Sequence, residues 1–305
     1  MNKIKILFLE LTQFCNLQCV FCDNRNLKRK KVLNFDDIKG FEKMIDSVEG
    51  DHIHSYIDIS GYGEVMTHPE FPKFIKYFKE KGKNVRVSTN GILIDKYFDD
   101  LIDSTVINLT ISLNSLNNET YKKLMGKNGL KRVLSNINSL KSRGFKGKID
   151  LSFVINRYNF EEIPEFIDMG KVSGSHVACI GLTPTLKDMY TDNLVLKIDD
   201  NIREKIKEYK NYAKDNGVSF YIFNPDTDSQ NINRKVDITS CHYIDRYFFV
   251  SVTGKVVPCC WNHVNMGNVK KESFDEIFNG EKYNKLRKMV LNGNDKYCKN
   301  CRKDG

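Results

Sequence analysis

From residue 3 to about residue 220, short dense runs of apolar residues alternate with longer stretches whose apolar positions repeat at helical spacing. The dense runs are KIKILFLEL, SYIDIS, VRVSTN, VINLTISLN, KIDLSFVIN and HVACIGL. Most carry apolar residues at consecutive positions, the pattern of strands buried on both faces of a parallel sheet. Between them, Phe41, Met44, Ile45 and Val48 share one helical face, as do Phe71, Phe74, Ile75 and Phe78. Leu130, Val133, Leu134, Ile137 and Leu140 share a third, and Phe160, Ile163, Phe166 and Ile167 a fourth. A glycine follows each set, at Gly50, Gly82, Gly144 and Gly170, where a left-handed cap is expected. Six βα units in succession predict a parallel α/β fold, and an open doubly wound sheet and a barrel both fit that rhythm.

The polar phrases separate the two. The six runs end in TQFCNLQC, GYGE, STNG, SLNS, NRYN and GLTPT. In a parallel barrel the C-terminal strand ends open onto one face, where the active site sits. Six such phrases converging there favour a partial (β/α)6 TIM-like barrel over residues 1–222. FNPDTDSQNINRKVD is polar and turn-rich and reads as a linker, placed at 223–240. Beyond it, DRYFFVSVTGKVVPCC carries two β runs about Thr253-Gly254, a hairpin signal. Two amphipathic helical stretches follow, ESFDEIFNG and EKYNKLRKMVLNG, so residues 241–305 read as a small α+β unit.

Composition narrows the class. No apolar run approaches the roughly 20 residues of a membrane span. Acidic Glu10 interrupts the apolar start and no cleavage site follows, so a cytoplasmic location is expected. The net charge of +9 is scattered along the 305 residues, and KRKK at Lys28 to Lys31 is the one basic cluster. It suits a solvated face, an acidic substrate or an acidic reductase, and gives nucleic acid no specific site. Eight of the nine cysteines fall in two groups near the chain ends. In a reducing compartment such grouping at short gaps reads as metal ligation rather than disulfides. CNLQCVFC supplies three thiolates, Cys15, Cys19 and Cys22. They suit a zinc site completed from elsewhere, a buried thiol set, or an iron–sulfur cube with one iron left open.

CNLQCVFC resembles the CxxxCxΦC signature of the radical S-adenosylmethionine (radical SAM) superfamily, with Phe21 as the aromatic Φ. GYGEVMTHPEF resembles that family's GGEP region, STNG and SLNS its phrases after the third and fourth strands, and Asn156 its ribose-contacting position. The likeness spans about residues 4 to 220. It implies a 4Fe-4S cluster on Cys15, Cys19 and Cys22 whose open iron chelates SAM, and a 5′-deoxyadenosyl radical that takes hydrogen from a substrate carbon. It further implies that Glu64 accepts a hydrogen bond from the SAM ammonium and that Gly61 and Gly63 let the backbone approach its methionine moiety. Ser112, Asn114 and Asn156 would contact ribose or carboxylate, and Phe21 would lie near the adenine. Val65 and Tyr62 depart from the usual Pro and Gly, and Asn114 stands where Asp is frequent, which leaves its role less defined. Asn114 and Asn156 also suit helix caps. His68-Pro69 reads as a helix start.

Cys241, Gly254, Cys259, Cys298 and Cys301 resemble the SPASM or shorter twitch extension of such enzymes. The chain ends four residues after Cys301, so the one-cluster, twitch-like form is expected. The likeness implies a second, closed 4Fe-4S cluster on Cys241, Cys259, Cys298 and Cys301; a structural zinc on the same four is the alternative. Cys260 competes with Cys259 as ligand. Cys179 and Cys260 read as ordinary buried thiols or as hydrogen-atom donors to a substrate radical. The family likeness implies an oxidoreductase, with dehydrogenation of a sugar, cyclitol or other small molecule as the leading expectation. Modification of a peptide comes second, because the chain begins at the first barrel strand, and RNA modification or a non-catalytic electron-transfer module follow. A flavodoxin- or ferredoxin-type electron donor is the expected partner.

Overall fold

The computed structural model describes residues 4–49, 54–181, 194–223, 244, 246–259 and 264–292. Seven strands follow one another in space as in sequence: β1 (Ile6–Leu9), β2 (Tyr56–Ile59), β3 (Val85–Thr89), β4 (Val106–Ser112), β5 (Lys148–Ile155), β6 (His176–Gly181) and β7 (Phe220–Phe223). Every neighbouring pair is parallel. This is the partial TIM-like barrel, with one strand more than expected. The short FYIF run of β7 abuts a polar segment and gives too little period to be read from sequence.

The intervening helices are α1 (Glu42–Asp46), α2 (Phe71–Glu80), α3 (Phe98–Ile102), α4 (Asn118–Met125), α5 (Leu130–Ser142), α6 (Ile163–Ser173) and α7 (Asp200–Asp215). One face of the sheet packs on them. Ile57, Ile59, Val87, Leu109, Ile111 and Leu151 are fully buried in one cluster with Phe74, Phe78, Val133, Ile137 and Phe166. The other face is polar, which corrects the expectation of strands apolar on both sides. Arg86 Nη1 donates to Tyr56 OH at 2.8 Å and its guanidinium lies 4.8 Å from that ring. Asn108 Nδ2 donates to Asp150 Oδ2 at 2.7 Å, and His176 Nδ1 lies 3.7 Å from Asp150 Oδ1. Strands of a half-filled barrel need apolar side chains only toward the helices, hence the alternation in VRVST.

Two of the expected caps hold their place and one does not. Gly82 and Gly144, beyond α2 and α5, have φ of 63° and 92°. Gly170 lies inside α6, and the left-handed cap is Gly174 at φ 62°. Gly170 is small for a packing reason: a Cβ there would stand 2.8 Å from Val177 Cγ2. The face of Phe41, Met44, Ile45 and Val48 is buried, yet only α1 is α-helical; a 3-10 turn at Phe35–Phe41 precedes it, and Val48 bridges to Ile4. Gly50 lies outside the described residues.

The C-terminal unit joins the same sheet. β8 (Tyr247–Val250) pairs in parallel with the free side of β1, Ile6 opposite Tyr247 and Leu9 opposite Val250. The expected hairpin then turns at Gly254, φ 79°, into antiparallel β9 (Lys255–Val257), and β10 (Gly267–Asn268) completes a ten-stranded sheet. Helices α8 (Phe274–Asn279), started by a Ser273–Glu276 capping box, and α9 (Glu281–Leu291) cover Phe248 with the rings of Phe274, Phe278 and Tyr283. Tyr283 OH donates to Ile244 O at 2.7 Å. Among the described residues no helix is long and apolar enough to cross a membrane.

Candidate functional site

The loop after β1 carries Cys15, Cys19 and Cys22, all partly buried and none in a disulfide. The last turn of α4 holds it. Gln18 N donates to Met125 O at 3.2 Å and Val20 N to Leu124 O at 2.9 Å, so loop amides occupy carbonyls that a helix end leaves open. Gly126, the left-handed cap of α4, lies against Gln18 O, where a Cβ would come within 2.8 Å. Lys127 Nζ reaches Asn16 O at 2.7 Å, and Met125 Sδ lies 3.6 Å from Cys19 Sγ. Burial pushes the Cys19 thiol up to about 12, with the charges of Cys22 and Cys15 adding to it, and burial raises Cys15 as well. Three thiolates on one loop thus oppose one another's ionisation until a cation joins them.

The GYGE phrase lies on this loop. Glu64 N donates to Phe14 O at 2.8 Å. A Cβ on Gly63 would stand 2.3 Å from Thr12 O, and one on Gly61 2.6 Å from Glu10 Cγ. Both glycines are therefore required by protein packing in addition to any ligand. Glu64 is buried, and its carboxylate accepts from Met66 N (3.1 Å), Thr89 Oγ1 (2.7 Å) and Asn90 N (2.6 Å). Burial nonetheless raises its carboxyl above the ordinary value. The STNG phrase thereby orients the GYGE glutamate, and Asn90 Nδ2 also donates to Asn16 Oδ1 at 2.7 Å. His68 is structural: its Nε2 lies 2.8 Å from Leu33 O, its Nδ1 accepts from Glu70 N, and α2 starts at Phe71.

At the next strand ends, buried Asn114 accepts from Val154 N at 2.8 Å, and its Nδ2 lies 3.3 Å from Met125 Sδ. Buried Asn156 accepts from Tyr158 N and donates to Val154 O. Neither caps a helix; Asn117 caps α4. Ser112, half-buried, pairs in register with Ser152. Phe21 sits in the hydrophobic core, whereas Phe14 and Tyr62 are the exposed rings beside the cysteine loop. Ser115 Oγ, Leu116 N and Asn117 N all donate to Glu162 at 2.6 to 3.3 Å. Replacing Glu162 with alanine strands these donors and is expected to cost about 2 kcal/mol. Urea unfolding of the two proteins measures it, and a loss within noise would show that water replaces the carboxylate.

Residues 9–170 match the family model of the radical SAM superfamily, and residues 241–302 match that of the SPASM domain, an iron–sulfur cluster-binding domain. The chain belongs to the radical SAM superfamily. Among radical SAM relatives, the AdoMet-dependent heme synthase of Methanosarcina barkeri is 28% identical over 94% of this chain and 85% of its own. A probable GTP 3′,8-cyclase of Methanococcus maripaludis is 24% identical over 98% of each chain. The SAM-bound crystal structure of Streptococcus suis SuiB superposes with a TM-score of 0.74 at 16% identity, over 94% of this chain and 68% of that one. At that identity the likeness is one of fold.

The cofactors of such a radical SAM enzyme are a 4Fe-4S cluster, SAM and an auxiliary iron–sulfur cluster. The cysteine loop fits the first of these. Among the described residues no three His, Cys, Asp or Glu side chains gather to hold a single ion. A cube bonds three thiolates to three different irons, and Cys15, Cys19 and Cys22 supply that donor set from one loop. Tyr121 of α4 adds a buried hydroxyl without a hydrogen-bond partner, close enough to Cys19 and Glu64 for their charges to oppose its ionisation after burial does. Of the second group, Cys259 follows β9 and is half-buried. Cys241, Cys260, Cys298 and Cys301 lie outside the described residues, as does the side chain of Cys179 within β6.

Sequence reasoning missed Glu10, Asn24, Met125 and Tyr121. Glu10 is buried; its Oε1 accepts from Tyr62 N and its Oε2 from Val252 N, each at 3.2 Å. Asn24 Nδ2 donates to Gln13 O and Tyr62 O at 2.7 Å, and Lys30 of the basic cluster donates to Asn24 Oδ1. Lys28, Arg29 and Lys31 remain exposed. A carboxylate inside an otherwise apolar strand run was the available signal for Glu10.

Proposed function

We propose that this radical SAM enzyme removes hydrogen from a carbon of a small polar molecule, a sugar or cyclitol, and oxidises it with the help of the auxiliary cluster. The observation that carries the substrate class is the polar inner face of the barrel. Beyond the network of Tyr56, Arg86, Asn108 and Asp150 near the strand starts, Thr110, Ser112 and Ser152 carry that polar face toward the C-terminal strand ends, where it suits hydroxyl groups and not an apolar substrate. When bound, the cluster and SAM supply a carbon-centred radical that takes hydrogen from an unactivated C–H bond. The chain's part is to hold and orient. Cys15, Cys19 and Cys22 are assigned as ligands of the first cluster, and Cys241, Cys259, Cys298 and Cys301 as ligands of the second. Glu64, fixed by three donors, keeps acceptor capacity for an ammonium. Ser112, Asn114 and Asn156 surround the ribose, and exposed Lys28, Arg29 and Lys31 receive an acidic electron donor of flavodoxin or ferredoxin type. Modification of a peptide is the second reading, favoured by exposed Phe14 and Tyr62 beside the cysteine loop.

The test is anaerobic reconstitution followed by dithionite and SAM. 5′-Deoxyadenosine is expected from the wild type and not from a Cys15→Ala, Cys19→Ala, Cys22→Ala variant. Equal amounts from both would remove the enzyme reading. About eight irons per chain are expected for two cubes, against about four for one. Deuterium passing into 5′-deoxyadenosine from a carbon-deuterated cyclitol, and not from a deuterated peptide, supports the small-molecule reading; the reverse supports the peptide.

A further inference from the structure

We infer that Met125 is a positioning residue: its thioether joins the cluster ligand Cys19 to Asn114 and fixes which way the Asn114 amide faces SAM. The inference deepens the function proposed above and rests on its assignment of Cys19 to the first cluster and of Asn114 to the SAM ribose. Met125 is the last residue of α4 and is 1% exposed. Three contacts meet on it. Its carbonyl accepts from Gln18 N, in the cysteine loop, at 3.2 Å. Its Sδ lies 3.6 Å from Cys19 Sγ and 3.3 Å from Asn114 Nδ2. One buried side chain therefore touches both the cysteine loop and the chain just beyond β4.

The Asn114 amide has one orientation here. The Val154 N–H can only donate, and it meets Asn114 Oδ1 at 2.8 Å. A thioether can only accept, so the NH2 group must face Met125. The Asn114 carbonyl is held as well, by Asn159 Nδ2 at 2.9 Å. An NH2 group carries two N–H bonds. With one on Met125, the second is the one offered to a SAM oxygen. An aspartate at 114 would offer acceptors only and would set an anionic oxygen against the sulfur. The sulfur thereby accounts for asparagine at a position where aspartate is frequent. Cluster ligation removes the Cys19 proton, so in the loaded chain Asn114 is the donor that keeps the sulfur.

Met125→Leu keeps the volume and removes the acceptor, whereas Met125→Gln keeps an acceptor and packs less well. A packing role ranks Met125→Leu above Met125→Gln, and an acceptor role reverses the order. SAM binding to the reconstituted, reduced protein is read from the change it causes in the electron paramagnetic resonance signal. It is expected to weaken about tenfold in Met125→Leu and less than about threefold in Met125→Gln, with iron content unchanged in both. Metal-free protein supplies the second readout. Hydrogen exchange of the Asn114 side-chain amide, identified by its absence in Asn114→Ala, is expected to quicken in Met125→Leu and to stay slow in Met125→Gln. Tighter SAM binding by Met125→Leu than by Met125→Gln, or amide exchange as slow in Met125→Leu as in the wild type, overturns the inference. The underlying assignments fail separately. A triple cysteine variant that keeps its SAM-sensitive signal removes the cluster ligands, and an Asn114→Ala protein that binds SAM like the wild type removes the SAM contact. If both of those variants lose SAM binding while Met125→Leu keeps it, only the role of Met125 is rejected.

Discussion

Gly63→Ala is expected to eliminate cluster retention and SAM cleavage together, with a loss of activity of at least about a hundredfold. The new methyl group would stand 2.3 Å from Thr12 O, 2.6 Å from Phe14 O and 2.8 Å from Thr12 C. All three are backbone atoms of the segment that runs into Cys15, so no side chain can swing aside. Overpacking of this kind costs about 3 kcal/mol, which at ordinary stability is a large share of the total. The GYGE loop must lift away instead. The Glu64 N–H to Phe14 O bond of 2.8 Å then breaks, and the Glu64 carboxylate leaves Asn90 N and Thr89. Cysteine loop and carboxylate lose register with each other in one step. Gly82→Ala is the control. Gly82 has φ 63° but nothing within 4 Å of a new Cβ, so the change costs about 1–2 kcal/mol of backbone strain and leaves the site intact. Iron and sulfide content after reconstitution reads the contrast, and a Gly63→Ala protein with wild-type iron would refute it.

The second large effect is expected at Glu10. Two amides from distant parts of the chain converge on its two oxygens, Tyr62 N from the GYGE loop and Val252 N from the C-terminal hairpin. The match requires two acceptors. Glutamine offers one oxygen and one NH2 group, so Glu10→Gln leaves a buried N–H facing another donor. The cost is about 2 kcal/mol, and Glu10→Ala, which leaves both amides bare, costs about 3 kcal/mol or more. Amide hydrogen exchange locates the damage. Protection should fall at Tyr62 and Val252 together in the alanine variant, while the α8–α9 region keeps its own. Loss at Tyr62 alone would mean that the hairpin is held by its strand pairing and owes nothing to the carboxylate.

Much of the barrel was legible because its signals are local. Six of the seven barrel strands coincide with dense apolar runs, and the Thr253-Gly254 turn marked the hairpin. The site was legible as far as its phrases lie at strand ends. Where reading stopped, the cause was tertiary. Nothing in ETYKKLMG says that its last turn presents carbonyls to Gln18 and Val20, since helix ends look alike whatever they face. Gly170 looked like a cap because a glycine demanded by Val177 across the packing gap has the same letter as one demanded by a left-handed turn. The isolated acid at Glu10 was visible as an interruption, but its two partners lie 52 and 242 residues away in sequence.

The parallel pairing of β8 with β1 bears on how such enzymes are recombined. The C-terminal unit does not begin at a seam. Its first described strand supplies the outer neighbour of the strand that leads into the cysteine loop. A fragment cut before β8 would bare the edge of β1, including the hydrogen-bonding groups of Ile6 to Leu9, and present them to any passing strand. Such a fragment is expected to aggregate rather than act as a smaller enzyme. A chimera that borrows another auxiliary unit must therefore bring a strand in the register of Tyr247 to Val250, so the splice point belongs ahead of β8 and the graft is one of sheet geometry before it is one of metal sites.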